Sequence, residues 1–211
     1  GLKQVKAEHG AAAIGLLASP HSTLEELALA GALVRGLGSE NIDSRLRAAD
    51  ASVNAPAGQA RWLGLPIAEL SQLQRVLVVG SDLRKDHPLF AQRIRQAVRR
   101  GAQLSALTDV APAWAMTVKH GVVADSAVWV QALAGIAAAV AAEKGVAAPV
   151  AVQADDTQRA IAASLLGGEH KAVLLGNAAA HHEKAASLLA LAHFIAEHTG
   201  ASVGYLTEAA N

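Results

Sequence analysis

The chain has 211 residues, 52% of them hydrophobic, ample material for one buried core or two small ones. Its 18 basic and 18 acidic side chains cancel, so net charge gives no reason to expect a nucleic acid or an anionic membrane as partner. The absence of cysteine excludes disulfides, thiolate nucleophiles, Cys-ligated zinc and Cys-ligated iron–sulfur clusters within these residues.

The opening Gly1-Leu2-Lys3, with neither an initiator methionine nor a signal-peptide pattern, leads us to expect a piece of a longer polypeptide. Residues 12–18 (AAIGLLA) predict a strand, and Leu24, Leu27, Gly31 and Val34 then recur at helical spacing. Ser22 or Thr23 is placed to cap that helix, Glu25 and Glu26 occupy its first turn, and Gly36 and Gly38 supply the stop. Residues 48–64, rich in Ala, Gly, Asn and Pro, show neither period and predict a connector.

Residues 75–79 (RVLVV) predict a strand buried on both faces. Residues 87–100 predict an amphipathic helix with Phe90, Ile94, Ala97 and Val98 inward, Pro88 at its start and Gly101 past its end. Residues 103–107 give the next strand, 116–118 a short one, and 126–144 a long alanine-rich helix stopped by Gly145. The stretch 132–150 is too alanine-rich, and too interrupted by Glu143 and Lys144, to resemble a transmembrane span. A second connector over 147–152 precedes a helix over 156–166, a strand over 172–175, a helix over 182–198 closed by Gly200, and a last strand over 202–206. Strands alternating with helices of this length imply a mostly parallel sheet covered on both faces, an α/β fold. Ligands of such sheets bind beyond the carboxyl ends of the strands, which here means the loops at Ser19-Pro20, 80–82, Thr108-Asp109 and Gly176-Asn177.

The residues that suggest chemistry also have plainer readings. His181-His182-Glu183 has metal-ligand residue types, but adjacent helical residues point about 100° apart, which favours a polar helix start. His87 has no serine, cysteine or carboxylate set beside it that would make it an acid or base, which favours capping or packing. Gly80-Ser81-Asp82 can present backbone N–H groups to a phosphate, yet a lone glycine falls short of the glycine-rich phosphate motifs. Arg93, Arg95, Arg99 and Arg100 read as a solvated helix face or a subunit contact rather than a nucleic-acid face. Trp129 reads as core, while Trp62 and Trp114, in or beside loops, are candidates for a protein interface.

Three segments, SPHSTLEELALAGALVRGLGSENID (19–43), VLVVGSDLRKDHPLFAQRIRQAVRRGAQLSAL (76–107) and KAVLLGNAAAHHEKAASLLALAHFIAEHTG (171–200), together resemble the molybdopterin oxidoreductase superfamily. The strand followed by Gly80, Ser81, Asp82 and then His87-Pro88 resembles that family's G-x-N-x-x-x-x-H-P loop, which approaches the guanine nucleotide of the pterin cofactor. Asn41 and Asp43, with Arg47, resemble its N-x-D-x-x-x-R element. Three departures stand out: Asp82 replaces the loop's asparagine, Thr108-Asp109 is not followed by the arginine of a D-P-R sequence, and Ala48-Ala49 stand where a cysteine often falls. NIDSRLR and GLPIAEL are similar to the branch formed by the large iron–sulfur subunit of respiratory NADH:quinone oxidoreductase (complex I).

That resemblance implies a three-layer, Rossmann-like α/β body. It implies one discontinuous lobe from 1–50 and 151–211, an inserted lobe from 71–150, and a connector over 51–70. It further implies vestigial pterin-nucleotide loops at Asn41, Asp43, Gly80, Ser81, Asp82, His87, Thr108, Asp109, Gly176 and Asn177, with no catalytic residue, metal or cofactor in this segment. Iron–sulfur clusters are expected elsewhere in the parent subunit. The expected partners are the cluster-bearing part of the same chain and other subunits of a cytoplasmic arm, with no nucleic acid and no membrane insertion. The rival readings are a working molybdopterin guanine dinucleotide-binding domain and a free-standing nucleotide-binding module.

Overall fold

The computed structural model describes residues 1–19, 21–44, 50 and 62–206; Pro20, Arg47, Ala48-Ala49 and most of the 48–64 connector lie outside the described residues. The chain forms two compact units, Gly1–Ala48 with Ala209–Asn211, and Ala49–Glu208.

In the first unit α1 (Leu2–His9) leads through a 3-10 turn (Ala11–Ala13) to β1 (Leu16–Leu17), and α2 (Leu24–Gly36) to β2 (Ile42–Asp43), which pairs with β1 in parallel. The expected strand over 12–18 shrinks to two residues because Ala11–Ala13 coil instead. Helix α1, absent from the sequence reading, has no apolar stripe to reveal it and buries none of its residues. Thr23 rather than Ser22 caps α2. Its hydroxyl accepts from the Glu26 N–H at 3.2 Å while the Glu26 carboxylate accepts from the Thr23 N–H at 2.9 Å, a closed capping box.

The second unit is built on a five-stranded, all-parallel sheet in the order β5-β4-β3-β6-β7. Its strands are β3 (Arg75–Val79), β4 (Gln103–Thr108), β5 (Val118–Val123), β6 (Lys171–Leu175) and β7 (Ser202–Tyr205). The inner strands are buried on both faces, as their unbroken Val/Leu/Ala runs require. Leu77, Val79, Leu107, Val173 and Leu175 face a core filled by α5 (Trp129–Lys144), α6 (Asp156–Leu166) and α8 (Ala185–Thr199). Val76, Val78, Leu104, Ala172 and Leu174 face a second core closed by α4 (Pro88–Arg99) and the 3-10 turn Ile67–Ser71. Short helices α3 (Leu83–Asp86) and α7 (Asn177–Ala180) follow β3 and β6.

This pairing corrects the two-lobe division implied by family resemblance. β3 bonds to both β4 and β6, so strands of 71–150 and of 151–206 share one sheet. The connector composition at 147–152 marks only the turn from α5 to α6, which pack side by side over that sheet. Ser126–Lys144 is long and apolar enough to cross a membrane by length and composition, but α5 is packed against both α6 and α8 and buries ten of its residues there. The strand expected at 116–118 lies instead at Val118–Val123, an edge strand whose His120-Gly121 interrupts the apolar pattern.

Asp155 and Gln158 form a second capping box, at the start of α6, with bonds of 2.7 and 3.0 Å. A Cβ on Gly135 in the middle of α5 would fall 2.0 Å from Gln158 Oε1, so only glycine leaves room for the cap. Asp155→Ala is expected to cost about 1 kcal/mol, read as a fall in Tm of about 2–4 °C.

Candidate functional site

Because the chain begins in the middle of the sheet, runs outward to β5 and returns to β6, the strand order reverses between β3 and β6. In doubly wound sheets the crevice beyond the carboxyl ends at such a reversal is where ligands bind. Two of the predicted loops, at Gly80 and Gly176, end the two strands that flank it.

The two loops are packed against each other. Gly176 N–H donates to Val79 O at 2.7 Å and Ala178 N–H to Gly80 O at 3.0 Å, while Gly80 N–H donates to Leu107 O at 2.8 Å. A Cβ on Gly176 would lie 2.3 Å from Ser81 Cβ and 2.4 Å from Gly80 O; one on Gly80, whose φ is +67°, would lie 2.7 Å from both Ala179 N and the Trp129 ring. Backbone therefore touches backbone, and glycine is needed on both sides. Beneath them Trp129 is fully buried, donates its Nε1–H to Ala124 O at 2.9 Å and stacks on His182 at 5.9 Å. His182 Nδ1 accepts from the Lys184 N–H at 2.9 Å, which makes Nε2 the donor to Ser126 O, also at 2.9 Å.

Several of the remaining loop residues are held internally. The Ser81 hydroxyl and the Asp82 N–H both donate to Asp86 Oδ2, each at 3.0 Å, and Asp82 pairs with Lys85 at 3.5 Å. His87 stacks on Phe90, with ring centroids 5.7 Å apart. The buried Thr108 hydroxyl donates to Val110 O at 2.7 Å, and Asp109 Oδ1 accepts from the Val110 N–H at 2.9 Å. Asn177 opens α7, its backbone carbonyl accepting from His181 N–H at 3.0 Å, while its buried side-chain Oδ1 has no hydrogen-bond partner among the described residues. Asn41 and Asp43 belong to the first unit. There Asn41 Nδ2 donates to Ala12 O at 2.8 Å and Asp43 Oδ1 accepts from the Ser44 N–H at 2.7 Å.

The expected helix over 182–198 starts only at Ala185, and His182 is core rather than a polar helix start. Its neighbour His181 turns to Asn177 O instead, so the two rings do not converge; among the described residues no group of three His, Asp or Glu is placed to hold a metal. Sequence reasoning missed Asp86 and Asp50. The Asp50 carboxylate accepts from the Ala186 N–H at 2.9 Å in the first turn of α8, a cap supplied from far away in the sequence and so invisible to local motif reading.

An all-parallel sheet that reverses order at its centre, with glycine loops at the reversal, defines a doubly wound α/β domain. The chain belongs to the molybdopterin oxidoreductase family, whose profile matches residues 1–206. It is 28% identical over 138 residues to the probable oxidoreductase YjgC of Bacillus subtilis (strain 168), a match covering 63% of this chain and 13% of that protein. A solved relative in fold is the formyltransferase/hydrolase complex FhcABCD from Methylorubrum extorquens in complex with methylofuran. It superposes with a TM-score of 0.58 at 16% identity, over 90% of this chain and 52% of that one. The chain thus spans a small part of the curated relative and about half of the structural one.

Proposed function

We propose that this segment is a structural and docking domain of the large iron–sulfur subunit of an NADH:quinone oxidoreductase, in a cytoplasmic electron-transfer arm, and that it carries no redox centre of its own. One observation supports the reading above the others. The Ser81 hydroxyl and Asp82 N–H, the donors that the family's loop would turn toward a nucleotide, both end on the Asp86 carboxylate. A guanine dinucleotide brings a pyrophosphate that needs N–H donors or cations. Asp82, Asp86 and Asp109 offer it carboxylates instead, and the Gly80 and Gly176 loops pack against each other. This set of carboxylates supports the reading without that cofactor.

On this reading the iron–sulfur clusters belong to other parts of the parent subunit, and the partners are those parts and neighbouring subunits. The fold relative, named as a formyltransferase/hydrolase complex, is itself a multi-subunit assembly, which accords with a role in assembly. The alternative, a molybdopterin guanine dinucleotide-binding domain of an active oxidoreductase, draws its support from the name of the Bacillus relative.

Calorimetric and thermal-shift titration with the guanine dinucleotide cofactor, together with metal analysis of the purified chain, separates the two. The expected result is no saturable heat and no stoichiometric molybdenum or iron. A ligand present at a hundred times its Kd would instead stabilise the fold by about 2.7 kcal/mol, and that outcome defeats the scaffold reading.

A further inference from the structure

We propose that a cavity at the opposite, amino-terminal end of the sheet binds a small oxyanion, a phosphate or carboxylate group, between Arg75 and Arg100. The cavity measures about 440 Å³, within the size range of small-ligand sites. It is lined by Arg75 at the start of β3, Ala97 near the end of α4, the turn 100–102 that leads to β4, and residues 71–74.

Its polar lining is rich in donors. Arg100 Nη1 reaches Ser71 O at only 3.5 Å, the outer limit of a hydrogen bond, and Arg75 Nη1 donates to Gln74 O at 2.8 Å. Each guanidinium has five N–H groups, so these contacts leave most of them unused. Arg75 Nε and Ser71 Oγ are buried with no hydrogen-bond partner among the described residues, and neither arginine has a carboxylate within ion-pair distance there. No acidic residue lines the cavity; Glu69, nearby in sequence, and Glu169, whose backbone N–H donates to Gln74 Oε1 at 2.6 Å, are not part of its wall.

The competing explanation is that Arg99 and Arg100 merely offset the negative end of the α4 dipole. That accounts for charge on the last turn of the helix. It does not account for a second, half-buried guanidinium at the start of β3 with an unpartnered N–H, a state that costs more than an ordinary exposed arginine. The surroundings add to the positive potential. Lys171, paired in register with Arg75, has its pKa lowered by burial first and then by the charges of Lys144 and Arg75. An oxyanion entering beside Arg100 would meet fixed cations and N–H donors with no carboxylate in the wall to repel it.

The test is a set of amide NMR titrations of the intact chain at constant ionic strength, with inorganic phosphate, with succinate and with chloride as the screening control. Saturable shifts confined to residues 71–75 and 97–102 are expected. Saturation by phosphate alone assigns the site to phosphoryl groups, and saturation by both to oxyanions in general. Arg100→Gln, a surface change that leaves the core untouched, should weaken the binding by about tenfold, the loss of one charge-assisted bond. Arg75→Lys, which keeps the charge but removes Nε, should weaken it as well. Shifts that stay linear, that chloride reproduces, or that survive Arg100→Gln unchanged overturn the proposal. Because the cavity and the Gly80 and Gly176 loops lie at opposite ends of the strands, either result leaves the scaffold reading to its own test.

Discussion

Trp129→Ala is expected to remove about 3–5 kcal/mol from the stability of the second unit, the largest single effect in the molecule. The side chain is fully buried and stands where α5 meets the carboxyl ends of the strands, in contact with Gly80 and stacked on His182. Truncation leaves a cavity too deep for the glycine loops above to fill without breaking their mutual hydrogen bonds, and it strands Ala124 O, which now accepts from the indole. Trp129→Phe keeps most of the apolar volume and loses the Nε1–H bond, so it should cost clearly less. Urea unfolding followed by far-ultraviolet circular dichroism measures both. Equal midpoints for Trp129→Ala and the unaltered protein would mean that the tryptophan does not support this end of the sheet.

The same cluster shows where sequence reasoning succeeds and where it stops. β3 and α6 match the sequence reading residue for residue, since RVLVV carries an unbroken apolar run and α6 stops at Gly167, though its Asp155–Gln158 capping box went unread. The stops at Gly145 and Gly200, both in the left-handed region, were likewise legible. The break between α7 and α8 was not, because the alanine-rich run through His181 and His182 has helical composition on both sides of it.

The candidate loops were found by rule, at strand ends in a parallel sheet, and the structure places three of them, at 80–82, Thr108-Asp109 and Gly176-Asn177, along one edge of the five-stranded sheet. Their occupancy by the protein's own groups was not legible. Asp86 reads locally as one more charge in a short polar stretch, and nothing in RVLVVGSD or KAVLLGNA announces that the two glycines will touch. That contact depends on which strand lies next to β3, a property of the whole chain. The departures from the family pattern, Asp82 above all, signalled a changed loop; only the geometry shows that the loop's donors are satisfied from within.

The contact between the two loops makes a sharper claim about Gly176. Its φ is −84°, an ordinary value for any residue, so a substitution there meets no backbone strain and tests contact alone. Gly145 is the complementary case, with φ at +67° and nothing within 4 Å of an added Cβ. Gly145→Ala should therefore cost about 1–2 kcal/mol, the price of a left-handed alanine. Gly176→Ala must push Ser81 and Gly80 O aside, stretching the bonds to Val79 O and Gly80 O that seal the loops, and should cost about 3 kcal/mol, the upper range for an overpacked site. Hydrogen exchange should localise the damage: the amides of Gly80, Gly176 and Ala178 lose protection in Gly176→Ala and keep it in Gly145→Ala. A Gly176→Ala protein as stable as Gly145→Ala, with those amides still protected, would show that the crevice has room to spare, and the space a nucleotide requires would have to be counted as available.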